Sequence, residues 1–190
     1  MYLFFDTETT GLPLKWKAPL SDLDNWPRLV QIAWLVYDKS GNQLDSRNYI
    51  IKPEGFTIPK EAEAVHKIST EKAIAEGEPL RKVLTKFAEA IDQNQILVAH
   101  NMNFDEKIVG AEFLRTQTPN NFFKKAQICT MLTSTDYCGI YKRGKIKWPR
   151  LSELHIKLFG VDFEEAHDAF VDVKACAKCF FELQKRGVIK

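Results

Sequence analysis

No apolar run in the 190 residues approaches the ~20 needed to cross a bilayer, and no secretory leader opens the chain. A soluble, cytoplasmic protein without a membrane partner is expected. Charge of one sign is equally scarce. With 27 Lys and Arg against 25 Asp and Glu there is no global basic field, so any contact with a polyanion must use a local patch. Only Cys129, Cys138, Cys176 and Cys179 offer thiols. A chain of this size builds a core without disulfide staples, and reduced cysteines are expected. Cys176-x-x-Cys179 has no second pair at metal-knuckle spacing and falls in a helical stretch, which predicts buried helix side chains. Repeats and low-complexity tails are absent. With 45% hydrophobic residues the chain reads as one domain over residues 1–190.

What the sequence does have is a junction, Phe4-Phe5-Asp6-Thr7-Glu8-Thr9-Thr10-Gly11, where an apolar strand over residues 1–5 meets two carboxylates and a turn. Side chains two apart on an extended strand share a face, so Asp6 and Glu8 project together. The apolar run does not alternate, which predicts a central strand covered on both faces. An isolated Asp-x-Glu is usually only a turn, so its meaning depends on what else reaches this spot.

Residues 12–28 follow as a proline-rich loop insertion, counted from residue 13, with Trp16 and Trp26; it is either a wall of a groove or a segment pinned to the surface. Strands are predicted over 29–37 and 43–51 around a turn, giving a three-strand antiparallel meander with the first. Short helices follow at 61–66 and after Ser69 or Thr70, and a longer one from Pro79 to Ile91. A buried strand at 96–99 ends at His100-Asn101, and Asn103 is the expected N-cap of a helix through Arg115 with Asp105 in its first turn. A last strand covers 127–131. Residues 141–150 form a basic flap with Lys142, Arg143, Lys145, Lys147 and Trp148, a composition suited to tracking single-stranded phosphates and stacking bases. Helices at 151–159 and from about Phe170 to Gly187 complete an α/β layer structure with a mixed central sheet flanked by helices.

His167 and Asp172 are five residues apart, which on a helix separates them by about 140°. Both reach one site only if His167 lies in the loop ahead of the last helix. Asp6, Glu8, Asp105 and Asp172 then arrive from three separate element ends. Four converging carboxylates repel one another, and oxygen-only ligands select hard ions, so two Mg²⁺ or Mn²⁺ ions are expected. Two such ions about 4 Å apart clamp the attacking and leaving oxygens of a phosphoryl displacement. A histidine is suited to take the proton of the attacking water. The implied reaction is metal-assisted phosphodiester hydrolysis.

Three stretches carry a resemblance: Phe5-Asp6-Thr7-Glu8-Thr9-Thr10-Gly11, then His100-Asn101-Met102-Asn103-Phe104-Asp105, then Ala166-His167-Asp168-Ala169-Phe170-Val171-Asp172-Val173. In this order they resemble the DEDDh (DnaQ-like) 3′-to-5′ exonuclease family. Ile58-Pro59-Lys60-Glu61-Ala62 with Val65-His66-Lys67-Ile68-Ser69 is similar to the branch of the DNA polymerase III epsilon subunit, although Lys67 stands where that branch would have glycine. The resemblance implies a ribonuclease H-like fold and stepwise release of nucleoside 5′-monophosphates from single-stranded or 3′-frayed nucleic acid, DNA favoured. Asp6, Glu8, Asp105 and Asp172 would hold the metals and His167 would be the general base. Thr9, Gly11, Leu12, His66 and Phe104 would seat the terminal nucleotide. An RNA-trimming exoribonuclease and a non-cutting module that grips strand ends are the alternatives. The short stretch after the last helix leaves little room to tether a polymerase, so a stand-alone enzyme is expected, with a homodimer left open.

Overall fold

The computed structural model describes residues 1–163 and 167–189. In chain order the elements are β1 (Tyr2–Thr9), β2 (Leu29–Tyr37), β3 (Gln43–Ile50), α1 (Lys60–His66), α2 (Thr70–Glu76), α3 (Leu80–Gln93), β4 (Ile96–Ala99) and α4 (Met102–Thr116). β5 (Ala126–Cys129), α5 (Thr130–Thr133), α6 (Thr135–Cys138), β6 (Tyr141–Lys142), β7 (Lys145–Ile146), α7 (Leu151–Phe159) and α8 (Ala169–Lys185) follow. The sheet order is β3-β2-β1-β4-β5, antiparallel from β3 to β1 and parallel from β1 to β5. This is the expected mixed sheet of a ribonuclease H-like fold, with β1 in the middle.

Leu3, Phe4 and Phe5 are fully buried because both faces of β1 are covered. Leu3 and Phe5 pack with Ile32, Trp34, Phe87 and Ile108 beneath α3 and α4. Phe4 joins Ala33, Leu35, Val173 and Phe180 beneath α8. Phe5 meets the rings of Phe87 and Phe122 at 5.5 and 5.6 Å, so trimming it to alanine would cost about 3–5 kcal/mol. The early half of β1 is thus a structural keel for its later half. α8 fits the same face through Val173, Ala177 and Phe180, while Gln184 Nε2 donates to the Tyr2 hydroxyl at 3.1 Å.

Several boundaries differ from the sequence expectation. β1 does not stop at Phe5: it stays paired with β2 through Asp6↔Ala33, Thr7↔Ile32 and Glu8↔Gln31, so the acids sit within the strand. Along β1, β4 pairs only with Tyr2, Leu3 and Phe4, leaving the other edge of the acid-bearing half open. α4 begins at Met102 behind Asn101, which takes a left-handed backbone (φ 70°), and Asn103 is inside the helix. Asparagine adopts that conformation more readily than most residues, which permits the sharp strand-to-helix corner. β5 ends at Cys129 because Thr130 already opens α5. Pro79 precedes α3 as its N-cap.

The loop insertion contains one 3-10 turn, Leu23–Asn25, and docks on α4. Gly110 makes that docking possible: a Cβ there would stand 2.9 Å from both Leu20 and Phe123. The basic flap is a β-hairpin, β6 against β7, turning at Arg143-Gly144 with both residues left-handed. Its strands are two residues long, too short to produce a period in the sequence. All four cysteines are free, and Cys176 and Cys179 are buried in α8 as expected. Among the described residues no helix is long and apolar enough to cross a membrane.

Candidate active site

Asp6 and Glu8 project from the open half of β1 into a cavity of about 520 Å³, lined also by His100, Phe104, Asp105, Trp148, His167 and Asp172. The four acids and the histidine singled out in the sequence therefore meet. Glu8, His167 and Asp172 are closest, with one ligand atom from each lying within 4.8 Å of the others. Asp6 and Asp105 face the same cavity outside that triad, Asp105 being nearly fully buried and accepting the Thr7 hydroxyl at 2.7 Å.

Asp172 lies one turn into α8, whose N-cap is Asp168; its Oδ1 accepts the amides of Phe170 (2.9 Å) and Val171 (3.2 Å). His167 sits just ahead of the helix in the left-handed region, φ 76°, with its backbone N–H donating to Asp172 Oδ2 at 3.1 Å. This is the loop placement that the five-residue spacing requires. Ala166, part of the same motif, lies outside the described residues.

Burial and mutual repulsion hold these acids far from ordinary carboxylate behaviour. Burial, then the charges of Asp105, Asp172 and Glu8, pushes Asp6 well up. Burial, followed by Asp172 and Asp105, raises Glu8 to about 8. Burial takes Asp105 up to about 7 against the opposing hydrogen bonds from Thr7, and Asp172 to about 6 against the His167 backbone bond. Asp172 Oδ1 is shielded from water and has no hydrogen-bond partner among the described residues. A cluster of oxygen donors that cannot all ionise together, one of them unpartnered, fits hard divalent cations.

The expected nucleotide contacts are distributed around this cavity. Phe104 lines it. His66 is buried, accepts the Ile68 amide at Nδ1 (3.1 Å), and lines an adjoining cavity of about 470 Å³ shared with His167 and Asp168. Thr9 is buried with its hydroxyl donating to the Gly11 carbonyl at 2.7 Å, which shapes the turn after β1. Leu12 is exposed and faces a separate recess with Leu14, Arg28 and Phe56. In the hairpin, Trp148 reaches the acidic cavity while Lys142, Arg143 and Lys145 are exposed on the strands and turn. Lys147 departs from the expected free cation: its Nζ binds both Glu153 carboxylate oxygens at 2.6 Å, where Glu153 also caps α7.

The exonuclease family model RNase_T matches residues 3–180. The chain belongs to this exonuclease family. Among curated relatives, this exonuclease-family chain is 31% identical over 180 residues to the PolC-type DNA polymerase III of Streptococcus thermophilus, covering 95% of the chain but 11% of that protein. The corresponding Lactococcus lactis protein is 34% identical over 118 residues, 62% of the chain and 6% of that protein. The chain thus spans about a tenth or less of these relatives. Among solved structures, exonuclease I has the same fold at a TM-score of 0.76 and 20% identity, over 97% of this chain and 40% of that one. E. coli exonuclease I in complex with a dA16 oligonucleotide matches at 0.76 and 20%, with 97% and 41% covered. The zinc-bound form of the E. coli exonuclease I complex with single-stranded DNA matches at 0.73 and 21%, with 97% and 40% covered.

Gln31 and Thr7 organise the candidate site without a role in the sequence reading, and His100 joins them as a structural residue. Gln31, opposite Glu8 in β2, contacts Asp168 and Ala169 at the start of α8. His100 joins Thr130 through Nδ1 (3.0 Å) and the Pro149 carbonyl through Nε2 (3.1 Å), tying the end of β4 to the exit of the hairpin. Burial pushes its imidazole down to about 4, so it is neutral at working pH and acts as a structural tie. Thr7, between the two acids, points its hydroxyl at Asp105. The only sequence signal for any of them was proximity to a motif.

Proposed function

We propose that the protein is a divalent-metal-dependent 3′-to-5′ exonuclease that removes nucleoside 5′-monophosphates from single-stranded or frayed ends, with DNA the favoured polymer. The observation that carries this reading is the meeting of Asp6, Glu8, Asp105, Asp172 and His167 in one cavity of an exonuclease-family chain. The preference for DNA rests on the relatives, which are DNA polymerases, and on the exonuclease I structures with DNA oligonucleotides.

Asp6, Glu8 and Asp172 would hold one divalent ion, and Asp105 with Asp6 would support a second. Two bound ions supply charge neutralisation for the attacking and leaving oxygens of an in-line displacement. His167 takes the proton of the attacking water, a role worth about 10²–10⁴-fold in rate. The water oxygen bonds to phosphorus, the bond from phosphorus to the 3′ oxygen breaks, and that oxygen takes a proton from solvent to become the new 3′-hydroxyl of the shortened strand. Thr9, Gly11 and Leu12 with His66 and Phe104 seat the departing nucleotide. The hairpin, through Trp148 with Lys142, Arg143 and Lys145, guides the strand behind it.

The deciding assay uses 5′-labelled single strands of DNA and RNA with Mg²⁺ or Mn²⁺, beside a circular strand. Expected is one-nucleotide shortening from the 3′ end with release of 5′-monophosphates, loss of activity in Asp6→Ala and an intact circle. Absence of release, or release that survives Asp6→Ala, rejects the nuclease reading. Cleavage of RNA alone rejects the preference for DNA.

A further inference from the structure

The two tryptophans of the loop insertion have different fates. Trp26 is buried at 2% exposure and donates through Nε1 to the Pro19 carbonyl at 3.1 Å. Lys15 N–H donates to Asn25 Oδ1 at 2.7 Å, and Asn25 Nδ2 returns a bond to the Lys15 carbonyl at 3.0 Å. Arg115 of α4 donates to the carbonyls of Leu23 and Trp26. The loop is therefore fastened from both sides by groups other than Trp16.

Trp16 remains 49% exposed. Its ring centroid lies 6.0 Å from that of Phe104 at an angle of 49°, and Phe104 lines the cavity that holds the acids. Lys15 and Lys17 flank it, both exposed and neither in an ion pair among the described residues. A fixed aromatic ring between two free cations, continuous with a carboxylate-lined site, has the chemistry that holds single strands: the ring stacks a base and the cations meet its phosphates.

We propose that Lys15, Trp16 and Lys17 form, with Phe104, a platform for an unpaired nucleobase and its adjoining phosphates beside the acidic cavity. The platform deepens the exonuclease reading and rests on it for the identity of the polymer. A base reaches the Trp16 ring only after leaving its own stack, so the platform selects unpaired ends over blunt duplex. Trp148 lines the same cavity as Phe104, so aromatic surface is offered from two separate segments of the chain.

The test is equilibrium anisotropy of a labelled single-stranded DNA oligonucleotide in Ca²⁺ buffer, with hydrolysis followed separately in Mg²⁺. Trp16→Ala is expected to weaken binding by about 5- to 150-fold, the range for losing one stacked base, while Trp16→Phe retains most of the affinity. Lys15→Ala with Lys17→Ala should lower the salt slope of log K by about 1.4, for two phosphate contacts on a single strand. Wild-type affinity in a Trp16→Ala protein that melts normally overturns the platform. Should Trp16→Ala not fold, the double lysine variant decides, and an unchanged salt slope overturns it. A wild-type chain that binds in this Trp16-dependent way yet hydrolyses nothing in Mg²⁺ supports the platform and counts against the nuclease reading alone.

Discussion

Gln31 holds the start of α8 to the middle of the sheet: its Nε2 lies 3.3 Å from Asp168 Oδ2 while its Oε1 accepts the Ala169 amide at 3.1 Å. The same Nε2 donates to Asn48 Oδ1 at 3.0 Å, and Gln31 is paired across the sheet with Glu8. One buried amide thus fixes the spacing between the Glu8 strand and the loop that presents His167. Gln31→Glu removes the donor and sets a second carboxylate against Asp168. We expect kcat to fall about 10–100-fold, the usual cost of losing a group that orients a site, with a smaller change in KM. Steady-state kinetics on a single-stranded oligonucleotide checks this, and unchanged kcat would remove Gln31 from the positioning role.

The raised acids make the stability of the metal-free protein depend on pH. In the unfolded chain they ionise near the ordinary carboxylate value of about 4, but folding moves Glu8 to about 8 and Asp105 to about 7. The folded state therefore holds more protons than the unfolded state in this interval, and stability falls as pH rises through it. His66 and His100 shift downward and act in the opposite sense at lower pH, so the window to examine is about pH 6.5–8.5. In EDTA, Tm should drop from the acid to the alkaline end. Mg²⁺ or Mn²⁺ should raise Tm most at the alkaline end, where the ligands are freest of protons. A Tm independent of both variables contradicts the cation reading.

Glu112 of α4 is fully buried and pairs with Arg28 at 2.9 Å and Arg115 at 3.0 Å, while also accepting the Leu29 amide at 3.0 Å. It joins α4 to the start of β2 and to the base of the loop insertion. Glu112→Ala removes the counter-charge of two guanidinium groups and the acceptor of the Leu29 amide, and a loss on the order of 3 kcal/mol is expected. Denaturant titration measures it. Glu112→Gln, which keeps an acceptor, should lose less.

Lys147 separates a charge that sits on the hairpin from one that contacts substrate. Because it is committed to Glu153, Lys147→Ala should leave the salt slope of DNA binding unchanged and instead loosen the start of α7. Lys142, Arg143 and Lys145 carry no such partner among the described residues, and each should lower the slope by about 0.7 if it meets a phosphate. Equal slopes across all four variants would deny the hairpin its guiding role.

The parts legible in the sequence were those set by local pattern. Residues 29–37 read as a strand because β-branched and aromatic residues dominate, and the acids were recognisable because chemistry demands oxygen ligands at element ends. Gln31 was opaque because its partners are 137 and 138 residues away and nothing about a lone glutamine in a strand signals them. The hairpin was opaque because strands of two residues show no period and the Lys- and Arg-bearing segment around them looks like any solvated charge run. The sequence points to a helix start at Asn103, two residues past the true N-cap Asn101, because a left-handed corner depends on how the preceding strand is aimed. Lys67 shows the same limit: at φ 62° it closes α1 in a conformation that usually favours glycine.

The open edge of β1 gives Asp105 a second occupation. Where β4 ends, the next strand would ordinarily cover the open edge of β1; in its place the Asp105 carboxylate accepts the Thr7 hydroxyl at 2.7 Å. A side chain from the helix after β4 thereby acts as the missing rung of the sheet. Asp105→Ala is for that reason not a clean removal of one acid, since it also unseals the strand that bears Asp6 and Glu8. Asp105→Asn, which keeps a carbonyl for Thr7, separates the rung from the charge.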